Sequence, residues 1–229
     1  MMVDEVVATL RSLGNPAAVA GMARYGIATT HALGVSMPQL RRMAKELGRN
    51  HALAQDLWRT GIHDAHILAS LIDTPDAVTH EQMEAWVAGF DSWDVCDQCV
   101  MNLFARTSSA VSTAIRWSVR PEEYVKRAGF VMMARLASTD RTAADETFDP
   151  FLEAIEREST DTRNYVKKAI NWALREIGAR NPRLHQRSCQ MAMRLMHSES
   201  ASAHWIGRDA LKELEAKAAG GRLRLIGSL

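Results

Sequence analysis

Tyr124-Val125-Lys126-Arg127-Ala128 returns 41 positions later as Tyr165-Val166-Lys167-Lys168-Ala169. Trp205-Ile206-Gly207-Arg208 repeats the aromatic, aliphatic, x, basic order 40 positions further on. A period near 40 carried by helical segments is the signature of HEAT-like repeats, paired helices that bury their apolar faces only by stacking on neighbours. The expected fold is all-α, a curved α-solenoid of HEAT-like repeats with an extended concave face. Residues 1–229 read as one such domain of about six helix pairs or fewer. The basic residues recur with the helices; separate solvated helix ends would also do this, but a shared concave face lined with Arg and Lys, suited to a nucleic-acid backbone, fits better.

The rest of the chain is consistent with helices throughout. Val3–Leu13 is apolar at Val3, Val6, Val7 and Leu10, and Gly14-Asn15-Pro16 stops it. Pro16 to Tyr25 starts a second helix. Ser36 with Gln39 three residues on predicts a capping box, Leu40, Met43, Ala44 and Leu47 an apolar stripe, and Gly48 a stop. Ala52–Thr60, Ile62–Ile72 and Glu81–Phe90 follow as short helices. No long apolar–polar alternation and no Asn-Gly or Asp-Gly hairpin turn argues for strands. The segment from Ala216, rich in Ala and Gly and ending near Arg222 to Leu229, is expected to fray or to dock weakly.

Net charge is +1, but residues 1–115 carry eight Lys/Arg against twelve Asp/Glu, and residues 116–229 carry twenty against fifteen. The basic second half is compatible with a polyanionic partner. No run of apolar residues reaches the length of a membrane span, and the first residues lack the pattern of a secretory leader. Three cysteines, an odd number, fit free thiols in a reducing cytoplasm.

In Phe90-Asp91-Ser92-Trp93-Asp94-Val95-Cys96-Asp97, Trp93 and Asp97 are four residues apart, which on a helix stacks them on one face. Asp91 is the expected N-cap, with Asp94 completing a capping-box-like start. An aromatic face and a carboxylate both attract a cation, so the pair suits a cationic ligand or a transition state that develops positive charge. A core Trp beneath a surface carboxylate is the other reading. Cys96 and Cys99 have the spacing of a zinc or redox pair, but Cys189 is the only other cysteine and no βαβ setting is visible, so they read as buried helix residues. His63 and His66 stand three apart on a helix with no obvious partner, and no metal site, phosphate-binding glycine loop or serine nucleophile elbow is present.

Taken in order, Met22-Ala23-Arg24-Tyr25, Leu33-Gly34-Val35, Ser92 to Asp97, Val125 to Ala128 and Val166 to Glu176 resemble the HEAT-like-repeat DNA alkylation repair glycosylases of the AlkD type. The resemblance runs from about Pro16 to Leu214. It implies that Asp97 is the catalytic aspartate, that Trp93 and Trp172 flank the lesion nucleotide, and that Arg127 supports the site and the DNA backbone. Tyr25 would lie near the same cleft. The basic echo itself carries the expectation that Lys126, Lys167 and Lys168 meet phosphate. Ser92 stands where some members carry another aromatic. The implied reaction is hydrolysis of the N-glycosidic bond of a cationic N3- or N7-alkylpurine in double-stranded DNA by a cytoplasmic monomer that needs no metal or cofactor. A non-catalytic helical-repeat protein that binds DNA or protein is the alternative, and the basic echoes serve it equally well.

Overall fold

The structure, a computed structural model, describes residues 2–221, 223, 224 and 226. Among them are thirteen α-helices and no strand. The first seven are α1 (Val3–Ser12), α2 (Pro16–Ala23), α3 (Met37–Leu47), α4 (His51–Arg59), α5 (His63–Ile72), α6 (His80–Ala88) and α7 (Trp93–Asn102). Then come α8 (Ala110–Ser118), α9 (Glu123–Thr139), α10 (Asp149–Glu158), α11 (Asn164–Gly178), α12 (Pro182–Met196) and α13 (Ala201–Ala219). The chain packs as two compact units, Met1–Ser108 and Ser109–Leu229.

Local chemistry sets several helix ends, and the expected capping box at Ser36 and Gln39 forms. Gln39 Oε1 reaches back to accept from the Ser36 backbone N–H at 3.1 Å and the Ser36 hydroxyl at 2.6 Å, which fixes the start of α3. Asn15, Asn50 and Asn181 cap α2, α4 and α12 by accepting first-turn N–H groups, with Pro16 and Pro182 as the first helical residues.

In the first unit α4 packs on α5, and α5 packs on both α3 and α7. An aromatic cluster fills its core: Trp58 stacks on Trp86 with ring centroids 4.1 Å apart, and Phe90 and Phe104 lean against them. Cys96 and Cys99 are buried free thiols on α7, as expected of core residues.

The second unit displays the repeat. α9, α11 and α13 pack side by side, while α10 lies against both α8 and α12. The echoed aliphatic positions Val125, Val166 and Ile206 are all buried. The echoed Tyr124 and Tyr165 place their rings 6.0 Å apart. Two pairs close without a side chain between them. A Cβ on Gly129 would come within 2.8 Å of the Ser118 backbone nitrogen, and one on Gly207 would run into the Ala192 carbonyl. So α8 meets α9, and α12 meets α13, at backbone distance. The buried Arg180 guanidinium donates to the Ala137 and Asp140 carbonyls at the end of α9, at 2.9 and 2.7 Å, and lies 4.2 Å over the Phe148 ring. Helix α13 continues to Ala219, beyond the start of the expected loose tail. Arg224 and Ile226 then dock, donating from their backbone to the Ala179 and Arg180 carbonyls at 2.9 Å. Arg222, Leu225 and residues 227–229 of that tail lie outside the described residues.

Candidate functional site

Helix α7 begins one residue later than its carboxylates suggest. The N-cap is Ser92, in extended backbone, and the exposed Asp91 lies outside the helix. The reason is that Ser92 is fully buried and its hydroxyl bridges two groups: it accepts from the Ala28 N–H at 3.3 Å and donates to Asp94 Oδ1 at 2.5 Å. Asp94 therefore sits at the second helical position rather than the third, and does not form the expected capping box.

Trp93 opens the helix, half-buried, and Asp97 follows one turn later with 7% of its surface exposed. The indole is not free to swing, because Nε1 donates to the Tyr25 carbonyl oxygen at 3.0 Å. Tyr25 itself is 73% exposed. The structure thus brings Trp93, Asp97 and the backbone of Tyr25 together in the first unit.

A network that the sequence reading missed joins the starts of α5 and α7. His63, read as lacking a partner, places Nε2 2.8 Å from Asp94 Oδ2, and its Nδ1 is 3.7 Å from Asp64 Oδ2. The shorter contact is a hydrogen-bonded ion pair, and the longer is a charge contact only. Burial alone would pull His63 down, but the two carboxylates outweigh it and raise its pKa to about 9. Burial pushes Asp64 and Asp94 up, and His63 with the hydrogen bonds each accepts brings both below the ordinary carboxylate value. Asp64 also accepts from the Leu33 N–H at 2.6 Å and the Val35 N–H at 2.7 Å. The available signal was a His-Asp pair, His63-Asp64, opening a helix otherwise almost wholly apolar.

In the second unit the expected basic row divides. Lys126 is buried, with Nζ 2.6 Å from Glu158 Oε2 and 3.3 Å from Asp161 Oδ2. Arg127 is buried as well, and its Nη1 donates to the Tyr165 carbonyl at 2.6 Å. Lys167 holds its ammonium 5.2 Å above the Trp205 ring. Lys168 and Arg208 are exposed, and Trp172 is half-buried on α11 one turn beyond Lys168. Among the described residues no cluster of three metal-ligating side chains occurs, and no helix is long and apolar enough to cross a membrane.

Against known families, the model of the family described as DNA alkylation repair enzyme matches residues 6–214. The chain belongs to the DNA alkylation repair enzyme family. A relative in Listeria innocua serovar 6a, the uncharacterized protein Lin0241, is 22% identical over 193 residues, covering 82% of this chain and 84% of its own. A solved structure described as a new family of proteins related to the HEAT-like repeat DNA glycosylases, with affinity for branched DNA structures, superposes with a TM-score of 0.83. It shares 20% identity and the match covers 98% of this chain and 97% of that one. The fold of this family member is therefore that of the HEAT-like repeat proteins.

Proposed function

We propose that the protein is a DNA glycosylase that excises cationic N3- and N7-alkylpurines from double-stranded DNA, with Asp97 as the electrostatic group and Trp93 as the surface on which the lesion rests. The observation that carries this reading is the pair on the first turns of α7: an indole held by the Tyr25 carbonyl, and one turn on, the Asp97 carboxylate. Asp97, stacked beyond the indole, is the carboxylate assigned to chemistry.

Alkylation at N3 or N7 gives the purine a formal positive charge. When the C1′–N9 bond breaks, its electron pair neutralises the base, which leaves without a proton donor. Positive charge passes to the deoxyribose. A carboxylate directed at that sugar stabilises the developing oxocarbenium ion and accepts a hydrogen bond from the water that attacks C1′. The Trp93 face attracts the cationic base and then the cationic sugar, with about 0.5–2 kcal/mol from each such contact. Exposed Lys168 and Arg208 in the second unit supply cations for phosphate.

The reading is tested by single-turnover release of 7-methylguanine and 3-methyladenine from methylated duplex DNA. Release by the wild-type protein supports it. No release by folded protein that still binds DNA overturns it. A second reading, favoured by the branched-DNA affinity attributed to the superposing structure, is recognition of branched DNA without base excision. Competition between a three-way junction and a duplex of equal length separates the two: a marked junction preference with no base release selects the second.

A further inference from the structure

The thirteen residues between α2 and α3, 24–36, form neither helix nor strand. A structureless segment of this length inside a compact unit needs partners for its backbone polar groups. It finds them at the starts of two helices. From α7, Trp93 Nε1 donates to the Tyr25 carbonyl at 3.0 Å and the Ser92 hydroxyl accepts from the Ala28 N–H at 3.3 Å. From α5, the His63 backbone N–H donates to the His31 carbonyl at 3.1 Å. Asp64 accepts from Leu33 and Val35 at 2.6 and 2.7 Å. Gly34, at φ +77°, lets the segment pass under α2, where a Cβ would fall 2.5 Å from the Asn15 carbonyl oxygen. The segment is thus a strap, pinned at five points by residues 63, 64, 92 and 93.

Besides the packing of α5 on α7, an ion pair at the helix starts links the two sets of pins. His63 Nε2 meets Asp94 Oδ2 at 2.8 Å, and Asp94 Oδ1 takes the Ser92 hydroxyl that pins Ala28. His63 is 6% exposed and Asp64 2%, so this end of the linkage is removed from water. The groups facing His63 are Asp64 and His66 on its own helix and Asp94 on α7.

We propose that His63 and Asp94 are positioning residues for the Trp93/Asp97 site: their ion pair locks the strap across the starts of α5 and α7, and the locked strap presents the Tyr25 carbonyl that fixes the angle of the Trp93 indole. What the site does with that indole rests on the glycosylase reading. How the indole is held does not.

The experiment reads the two separately. Nitrogen-15 spectra of the tryptophan indoles are recorded for wild type and Asp94→Asn, with the Trp93 peak assigned by Trp93→Phe. The expected result is a shifted, faster-exchanging Trp93 indole proton in Asp94→Asn, while the peaks of buried Trp86 and Trp117 stay in place. Release of 7-methylguanine should fall on the order of 10- to 100-fold with binding of undamaged duplex unchanged, since misplacement of a contact surface costs rate rather than phosphate affinity. The double variant His63→Gln with Asp94→Asn replaces the ion pair by a neutral amide–amide hydrogen bond. It should return the Trp93 peak and most of the rate, and it keeps the inference testable if the single variant unfolds. An unmoved Trp93 peak in both variants overturns the inference whatever the activity. A moved peak with unchanged release in an active enzyme overturns the positioning role. If the wild type releases no base, the glycosylase reading has failed, and the inference is judged on three-way-junction binding. Weakened binding in Asp94→Asn then supports it, and unchanged binding overturns it.

Discussion

Lys126 and Glu158 form an ion pair at 2.6 Å, with side chains 11% and 15% exposed and Asp161 completing the cage at 3.3 Å. Lys168, which stands in the echoed motif where the first copy has Arg127, lies in solvent. The same sequence motif therefore supplies cations with different work to do. A lysine already neutralised by two carboxylates releases few counterions from DNA. Lys168→Ala is expected to lower the salt slope of DNA binding by about 0.9 with no loss of stability. Lys126→Ala should leave the slope in place and destabilise the second unit by about 1 kcal/mol, because Glu158 and Asp161 are half-buried and keep Arg157 and Arg163 as partners. Equal loss of slope in the two variants would return Lys126 to the DNA-facing row.

The His63 site makes stability depend on pH in a stated direction. Its pKa of about 9 in the folded protein exceeds the ordinary 6.5. Below pH 6.5 both folded and unfolded chains hold the proton, and the stabilisation is fully present. Between pH 6.5 and 9 the unfolded chain gives up the proton first, so stability falls, by a total on the order of 3 kcal/mol. Asp64 and Asp94, both lowered, act on the other side: their contribution is present above the ordinary carboxylate range and fades on acidification. Urea midpoints of the wild type should decline from about pH 6 to about pH 9.5, and His63→Gln should flatten that decline. A wild-type midpoint that does not move over this range would mean His63 is neutral.

The repeat spacing can be tested where backbones touch. A methyl group at position 207 would collide with the Ala192 carbonyl and come within 2.8 Å of the Met196 backbone nitrogen. Gly207→Ala should therefore destabilise by about 1–3 kcal/mol, since two helix backbones must part. Gly21, inside α2, would have nothing within 4 Å of an added Cβ, and its φ is not positive. Gly21→Ala should stabilise by about 0.5–1 kcal/mol through helix propensity and a less flexible unfolded chain. Both values follow from chemical denaturation, and a neutral Gly207→Ala would show that α12 and α13 can separate freely.

These residues also show which parts of the molecule could be read from its sequence. Repetition is visible in a string of letters, so Tyr124, Tyr165 and Trp205 revealed helical repeats, and the Ser36–Gln39 capping box was local enough to be read directly. Trp93 and Asp97 lie on one helix, so their spacing was enough to place them one turn apart. His63 and Asp94 are 31 residues apart and belong to different helices. No periodicity links them, and what joins them is a strap whose backbone groups need partners. The N-cap moved from Asp91 to Ser92 for the same reason, since the Ser92 hydroxyl is fixed by the remote Ala28 N–H. The division of Lys126 from Lys168 likewise depends on Glu158 and Asp161, at the end of α10 and in the turn after it, which the echo does not contain.

Asp97→Asn is the substitution on which the glycosylase reading turns. It keeps the shape of the side chain and one acceptor oxygen, and it removes the negative charge. If the carboxylate stabilises an oxocarbenium-like transition state, loss of that preorganised charge should raise the barrier by about 3–4 kcal/mol, on the order of 100- to 1000-fold in single-turnover release. Affinity for undamaged duplex should hold or rise, because a carboxylate facing phosphates has gone. Asp94→Asn, just earlier on the same helix, provides the contrast, since its carboxylate contacts His63 and Ser92 rather than a substrate. The decisive distinction is where the loss is regained. A defect in Asp94→Asn should be restored by pairing with His63→Gln, whereas no change at position 63 should restore Asp97→Asn. Equal release by the wild type and Asp97→Asn would keep the enzyme and remove Asp97 from its chemistry. Release restored to Asp97→Asn by His63→Gln would make Asp97 a part of the packing and leave the transition-state charge to another group.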